Sequence, residues 1–217
     1  MLEHFDRRVM PEALLALVRA VQAREPCHLA GGMALSGAHL AHRLSGDVDL
    51  FVHDASGHRR ACRHLEDAVI AASGTLTVVQ DAGAFWRARV VVGAVTSDFD
   101  LVHETVPDLE EPPPPIDGVV VESFADLRAA KLTCLLSRSE PRDLVDVLFL
   151  ERAGFEPEDD LAIALRKDAG IDPATLAWLL KSFPVDPLPM MLVPLARREL
   201  IAYRDRLAER FRRLAAG

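Results

Sequence analysis

The sequence predicts an α+β fold, in which a mixed β-sheet flanked by helices is followed by a helical region. Segments with the alternation of strands occur only before about residue 104, and the segments after residue 118 have helical periodicity. The run EEPPPP at residues 110–115 separates these regions, because it fits neither a helix nor an inner strand. We therefore expect two domains, an α/β core at residues 1–117 and a helical region at residues 118–217.

The first domain is predicted to contain helices and strands in alternation before a group of consecutive strands. The predicted order is a helix at 11–24, a strand at 27–30, a helix from the glycine pair to about residue 43, a strand at 47–53, a helix at 58–72, and strand-like segments from 75 to 104. The connections between these last segments are too short for crossover helices. The sheet is therefore expected to be mixed or antiparallel.

The second domain is predicted to be helical throughout. Helices are expected at residues 123–138, 142–152, 158–167, 173–181 and 194–216. The last of these has an arginine-rich polar side. Such a side is typical of a solvated face, although contact with RNA or a protein partner is also compatible with it.

The composition excludes several classes of protein. A formal charge of −8 argues against a surface that binds nucleic acid everywhere, but a local basic patch remains compatible with it. Three widely spaced cysteines predict neither a disulfide framework nor a zinc site, and they suit a reducing cytoplasm. No apolar run approaches the ~18 residues needed to cross a bilayer. No histidine pair has metal-motif spacing, so His39, His42 and His103 are expected to be polar surface groups or groups that support ligands, and not ligands themselves.

Two aspartates on the predicted strand DVDLFVH carry the first functional signal. Asp47 and Asp49 face the same side, about 7 Å apart along the backbone. Paired carboxylates of this kind coordinate Mg²⁺ together with substrate phosphates. The alternative is a polar face in water, and Phe51 on the same face argues against it.

A second pair of aspartates lies on the later segment VTSDFDLVHE. Asp98 and Asp100 again share a face, while Phe99 and Leu101 take the other. If this strand lies beside the first, three or four carboxylates meet at one place. Their mutual repulsion would then require divalent cations.

The glycine pair before the second helix is a weaker signal. Gly31 and Gly32 leave backbone N–H groups unobstructed at a helix N-terminus, where a phosphate can bind. A glycine pair in this position is also compatible with a simple turn.

The stretch from residue 28 to 54, with GGMAL and HRLSGDVDLF, resembles the nucleotidyltransferases of the DNA polymerase β superfamily. More narrowly, it is similar to the AbiEii/AbiGii abortive-infection toxins, in which GGTAL and HRxSxDIDLF are typical. This resemblance implies a polymerase β-like fold and metal ligation by Asp47 and Asp49. It also implies a third metal carboxylate on a neighbouring strand, for which Asp100 is the first choice and Asp98 the second.

The resemblance also assigns nucleotide-binding positions. It implies that Gly31 and Gly32 form the phosphate turn and that Arg43 and Ser45 are the polar residues leading into the strand. Met33 stands where the family usually has Ser or Thr. The chain would therefore depend on backbone groups at this point of the turn.

The helical half adds a buried-cation signal. Lys131 falls in the middle of an apolar helix face and therefore needs an anion, unless its side chain extends past its neighbours to water. The segment AAKLTCLLSRSEPRDLVDVLFL is similar to the family's K-L-x-A-L…R…R-D-x-x-D. That similarity implies Lys131 near the triphosphate and Asp146, together with Asp143, as essential acids. Asp143 by itself is equally compatible with a favourable contact at a helix N-terminus.

Together, the residues and the resemblance predict a nucleotidyltransferase that uses two Mg²⁺ ions, with Mn²⁺ as an alternative. The resemblance implies transfer of an NMP from an NTP to a hydroxyl of RNA, such as tRNA, or of a protein. It further implies a toxin with a separately encoded antitoxin. The alternative is a catalytically inactive nucleotide- or protein-binding module of the same fold, which Met33 favours and the full set of acids opposes.

Overall fold

The computed structural model describes residues 2–217, which form two compact units, residues 2–123 and residues 124–217. The first unit contains the helices α1 (Glu12–Gln22), α2 (Gly31–Leu35) and α3 (Ala55–Ala71), and the strands β1 (His28–Ala30), β2 (Asp47–Val52), β3 (Thr75–Asp81), β4 (Phe85–Val92) and β5 (Val95–His103). Residues 116–123 come after the last strand in sequence and return to lie beside β1, where Leu29 donates its backbone N–H to the Val120 carbonyl at 2.9 Å.

A five-stranded mixed sheet in the order β1-β2-β5-β4-β3 forms the centre of the first unit. Strands β2 and β5 are parallel, and the other neighbouring pairs are antiparallel. The mixed sheet predicted from the short connections is therefore confirmed. The alternation predicted for β2 is also present, since Val48, Leu50 and Val52 are buried and the intervening residues are partly exposed.

The second helix differs from its prediction. Its α-helical part spans Gly31–Leu35 and continues as a wider π-helical turn over Ser36–Leu40, after which Ala41 has a positive φ of 47°. The Ser36 hydroxyl donates to the Arg43 carbonyl at 2.5 Å, so the chain folds back on the turn instead of extending the helix to residue 43. This reversal buries His42 and Arg43, so of the two expectations for His42 the surface position does not apply.

The second unit consists of helices, as predicted. They are α4 (Phe124–Ser137), α5 (Pro141–Arg152), α6 (Leu161–Lys167), α7 (Pro173–Leu180) and α8 (Arg197–Ala215). The apolar side of α8 is buried through Leu200, Tyr203, Leu207 and Phe211. Arg210 on its polar side forms ion pairs with Glu151 and with Glu156 and Glu158, so part of this basic face is neutralised within the unit. No helix among residues 2–217 has the length and apolar character needed to span a membrane.

Candidate active site

The parallel pairing of β2 with β5 brings the two predicted aspartate pairs together. Asp47 lies opposite Asp98, and Asp49 lies opposite Asp100. Asp47, Asp49 and Asp100 each offer a carboxylate oxygen, and these three oxygens all lie within 4.8 Å of one another. We call these residues the acid cluster. Asp98 does not belong to it.

Two arginines on β4 explain why Asp98 and Asp100 differ. The guanidinium group of Arg87 forms a bidentate ion pair with Asp100: Nε donates to Oδ1 at 2.6 Å and Nη2 donates to Oδ2 at 2.5 Å. Arg89 binds Asp98 in the same way at 2.8 and 2.9 Å, and this hydrogen bonding lowers the pKa of Asp98. Asp98 therefore pairs at the surface, whereas Asp100 is buried beside Asp47 and Asp49. The sequence interpretation missed Arg87, although its alternation with Arg89 matches that of the acids.

Gly31 allows the start of α2 to approach the acid cluster. Its φ is +67°, and a Cβ built on it would lie 1.9 Å from Oδ2 of Asp49. A Cβ at Gly32 would lie 2.7 Å from Nη2 of Arg43 and 2.9 Å from Oγ of Ser45. The two glycines thus allow the side chains of Asp49, Arg43 and Ser45 to pack against the start of α2. A simple turn would not require such close packing.

The polar residues before β2 are held close to the acid cluster. Ser45 donates a hydrogen bond from Oγ to Oδ1 of Asp47 at 3.3 Å. Arg43 is buried and donates from Nη1 to the Leu44 carbonyl at 2.9 Å. Met33 is only 1% exposed and packs in the core, so its side chain contributes to the interior of the unit.

Comparison with known proteins identifies the family. A model of the family described as nucleotidyl transferase AbiEii toxin, type IV TA system, matches residues 13–217. The chain belongs to the AbiEii toxin family. It is therefore a nucleotidyltransferase of a toxin family, and the resemblance predicted from the sequence is confirmed. No curated protein sequence matches the chain.

Solved structures share the fold of this AbiEii-family chain. MenT4, a nucleotidyltransferase toxin from Mycobacterium tuberculosis, is 16% identical with a TM-score of 0.65, over 92% of this chain and 84% of that chain. A candidate nucleotidyltransferase from Helicobacter pylori is 20% identical with a TM-score of 0.62, over 94% and 93%. JHP933 from Helicobacter pylori is 20% identical with a TM-score of 0.58, over 95% and 94%. These likenesses confirm the predicted nucleotidyltransferase fold.

The remaining predicted residues of the AbiEii-family chain lie in the second unit. Nζ of Lys131 is 2.8 Å from Oδ2 of Asp146, and the two side chains are 3% and 0% exposed. Asp146 is thus an anion for Lys131, and the alternative that Lys131 extends to water is excluded. Burying an unpaired charge, or two like charges, in the core would lower the free energy of unfolding. The ion pair therefore explains why both Lys131 and Asp146 can be buried.

Asp143 has a different environment from Asp146. Nη2 of Arg138 lies 2.8 Å from Oδ1 of Asp143, while Oδ2 has no hydrogen-bond partner among residues 2–217. Burial raises the pKa of Asp143, although the nearby charges of Lys131 and Arg138 oppose this shift. Asp143 is fully buried in the first turn of α5, so a favourable contact with the helix N-terminus remains compatible with its position.

The acid cluster has the donor chemistry of a divalent-cation site. It offers carboxylate oxygens alone, which are the ligands that Mg²⁺ and Mn²⁺ prefer over nitrogen or sulfur. Three carboxylates this close repel one another, and Arg87 supplies only one positive charge at Asp100. The residues present therefore fit the metal that the family implies.

Proposed function

We propose that this AbiEii-family chain is a Mg²⁺-dependent nucleotidyltransferase that transfers an NMP from an NTP to a hydroxyl of RNA, such as tRNA, or of a protein. The observation that carries the proposal is the convergence of Asp47, Asp49 and Asp100 within 4.8 Å. A module that only bound nucleotide or protein would have little use for three carboxylates at one point. We therefore favour catalysis over an inactive module.

Asp47, Asp49 and Asp100 would hold the divalent ions, either two Mg²⁺ or Mn²⁺ in their place. Bound ions of this kind neutralise phosphate charge and favour ionisation of an attacking hydroxyl. Asp98 is the less suitable third ligand, because Arg89 occupies both of its oxygens. The hydrogen bond from Ser45 to Asp47 would keep that carboxylate directed toward the cluster.

The reaction follows from a hydroxyl nucleophile and a triphosphate. The acceptor oxygen forms a bond to the α-phosphorus, the bond from that phosphorus to the bridging oxygen breaks, and pyrophosphate leaves in line. The hydroxyl proton passes to solvent. The protein's contribution is to orient the reactants and stabilise the charge, since phosphoryl transfer needs little covalent help from side chains.

The glycine turn and the residues before β2 would bind the nucleotide. Gly31 and Gly32 carry no side chain that could separate the backbone of α2 from the phosphates. Arg43 and Ser45 line the same turn and add a positive charge and a hydroxyl. With Met33 in the core, binding at this turn would depend on these groups and the backbone.

In the second unit, Lys131, Asp143 and Asp146 are proposed as functional residues on the basis of the family resemblance. Lys131 would supply positive charge to the triphosphate. Asp146, with Oδ2 2.8 Å from Nζ of Lys131, would position the ammonium group. Asp143 would support α5, the helix that carries Asp146. A buried lysine–aspartate pair is also a common structural device, so the test of this role must separate activity from stability.

The family membership further supports a toxin with a cognate antitoxin. We propose that the antitoxin is a separately encoded protein and that the reaction takes place in the cytoplasm. Cys27, Cys62 and Cys134 are free thiols, which suits a reducing compartment.

The test is transfer of label from each α-labelled NTP to total RNA or protein in the presence of Mg²⁺. We expect the wild type to label an acceptor, and Asp49→Ala and Asp100→Asn to label none. Asp98→Asn is the matched control, because it changes the same strand outside the acid cluster, and it should retain transfer. Labelling by Asp49→Ala equal to that of the wild type would refute the proposal. Stabilisation of the wild type by Mg²⁺ and NTP without any transfer would favour the inactive binding module.

A further inference from the structure

A second group of metal-ligating side chains lies at the β1 edge of the sheet. His28 is on β1, His53 follows β2 directly, and Asp108 lies in the loop after β5. His28 is opposite Phe51 in the β1–β2 register, so His28 and His53 are on the same side of the sheet. The three residues are separated by at least 25 positions in sequence, and no spacing motif reveals them.

The three side chains approach one another closely. Nε2 of His53 is 3.0 Å from Oδ1 of Asp108, and Nδ1 of His28 is 3.5 Å from Oδ2 of the same residue. One ligand atom from each residue lies within 4.8 Å of the others. A tetrahedral ion with bonds of about 2.0–2.1 Å separates its ligand atoms by roughly 3.3 Å. The two histidine–aspartate separations, 3.0 and 3.5 Å, are close to this value, and all three ligand atoms lie near enough for small side-chain movements to place them around one ion.

The orientation of His53 points independently to a cation. Its Nδ1 lies 3.0 Å from the Glu104 carbonyl oxygen, which can only accept a hydrogen bond, so Nδ1 is the donor. Its Nε2 faces the Asp108 carboxylate, which is a second acceptor. A neutral imidazole has one N–H, so the ring needs either a second proton or a metal ion at Nε2. A hydrogen bond from the far nitrogen to a backbone carbonyl is also how metal-bound histidines are oriented.

We propose that His28, His53 and Asp108 bind a first-row transition-metal ion, with Zn²⁺ as the preferred occupant. Two imidazole nitrogens and one carboxylate favour such an ion over Mg²⁺, which prefers oxygen ligands alone. Three protein ligands leave one coordination position for water or another ligand. A cavity of about 500 Å³ beside the site, lined in part by His103, Thr105 and Pro107, provides access to that position.

The consequence of metal binding would be a tether between the loop and the sheet. Asp108 belongs to the segment that leaves β5 and leads into the Pro-rich stretch at residues 110–115. An ion at His28 and His53 would attach this segment to β1 and to the end of β2. The proposal is independent of nucleotidyl transfer, because it shares no residue with the acid cluster.

The test is titration of metal-free protein with Zn²⁺ by calorimetry and with Co²⁺ by visible absorption. We expect one equivalent to bind with the absorption of tetrahedral Co²⁺ ligated by nitrogen. This signal should disappear in His53→Ala and Asp108→Ala, and it should persist in His103→Ala and Asp49→Asn. Asp108 lies in a loop and its side chain is 26% exposed, so its replacement keeps the test valid if His53→Ala fails to fold. Absence of this signal in the wild type, or its persistence in Asp108→Ala, would overturn the proposal.

Proteolysis measures the tether itself. Glu110 is exposed and follows Asp108, so a glutamate-specific protease should cut between Glu110 and Glu111, whereas Pro112 prevents a cut after Glu111. We expect Zn²⁺ to slow this cleavage in the wild type and not in Asp108→Ala. Equal cleavage of both proteins with and without Zn²⁺ would show that no ion holds the loop.

Discussion

Replacement of Gly31 by alanine tests whether the start of α2 lies against the acid cluster. The new Cβ would lie 1.9 Å from Oδ2 and 2.7 Å from Cγ of Asp49, so the carboxylate would have to move. Displacing a packed side chain costs about 1–3 kcal/mol. The φ of +67° adds about 1–2 kcal/mol for a residue with a Cβ. We therefore expect Gly31→Ala to lower the free energy of unfolding by about 2–5 kcal/mol and to abolish transfer.

Gly83→Ala separates the two contributions. Gly83 has a φ of +74° and no atom within 4 Å of a built Cβ, so its replacement carries the backbone cost without a collision. We expect urea denaturation to show a loss of about 1–2 kcal/mol in this control. The excess loss in Gly31→Ala measures the contact with Asp49.

A double-mutant cycle identifies the atom responsible. In an Asp49→Ala background the carboxylate is absent and only the Cβ at residue 49 remains, 3.2 Å away, so most of the excess cost of Gly31→Ala over Gly83→Ala should disappear. If the excess persists in that background, the collision does not involve the Asp49 carboxylate. If Gly31→Ala and Gly83→Ala are equally destabilised and transfer continues, the close approach of α2 to the acid cluster is refuted.

Three further perturbations follow from the charges. Arg87→Gln removes the guanidinium group that binds both oxygens of Asp100. Without metal, the free energy of unfolding should fall by about 1–3 kcal/mol, a value reduced because Arg87 is 36% exposed. Urea denaturation with and without Mg²⁺ should show that Mg²⁺ restores more stability in this variant than in the wild type. Lys131→Met removes the ion pair of the buried Asp146 and should cost about 3–5 kcal/mol. The added change Asp146→Leu should recover most of this loss in the same measurement. Burial lowers the pKa of His39 from 6.5 to about 4, so between these pH values the folded protein binds fewer protons at His39 than the unfolded chain. Up to about 3 kcal/mol of the free energy of unfolding should therefore be lost as the pH falls from 6.5 to 4. In His39→Gln the free energy of unfolding should depend less steeply on pH over this range.

Each of these has a contrary outcome. An equal response of Arg87→Gln and the wild type to Mg²⁺ would show that the guanidinium and the metal do not neutralise the same carboxylates. If the double variant is as unstable as Lys131→Met, the cost comes from packing and not from the lost ion pair of Asp146. An unchanged pH slope in His39→Gln would assign the acid sensitivity to another group.

The sequence was sufficient to predict the faces of the main elements. Strict alternation placed Val48 and Leu50 in the core and Asp47 and Asp49 on the other side of β2, because side-chain direction in a strand depends only on a period of two. The end of the second helix could not be predicted in this way. The hydrogen bond between Ser36 and Arg43 reverses the chain there, and no local periodicity encodes a contact with a later residue.

The sequence by itself singled out the candidate residues: the aspartates of β2 and β5, the glycine pair, and a lysine that required an anion. Tertiary structure alone decided their partners. The parallel register of β2 and β5 placed Asp100 in the acid cluster. The antiparallel register of β4 and β5 placed Asp98 opposite Arg89, with which it forms an ion pair. It also joined Lys131 to Asp146 and brought His28 and His53 to Asp108. The physical reason is range: the direction of a side chain follows from its immediate neighbours, whereas the charge it meets comes from a distant segment that only the folded chain brings near.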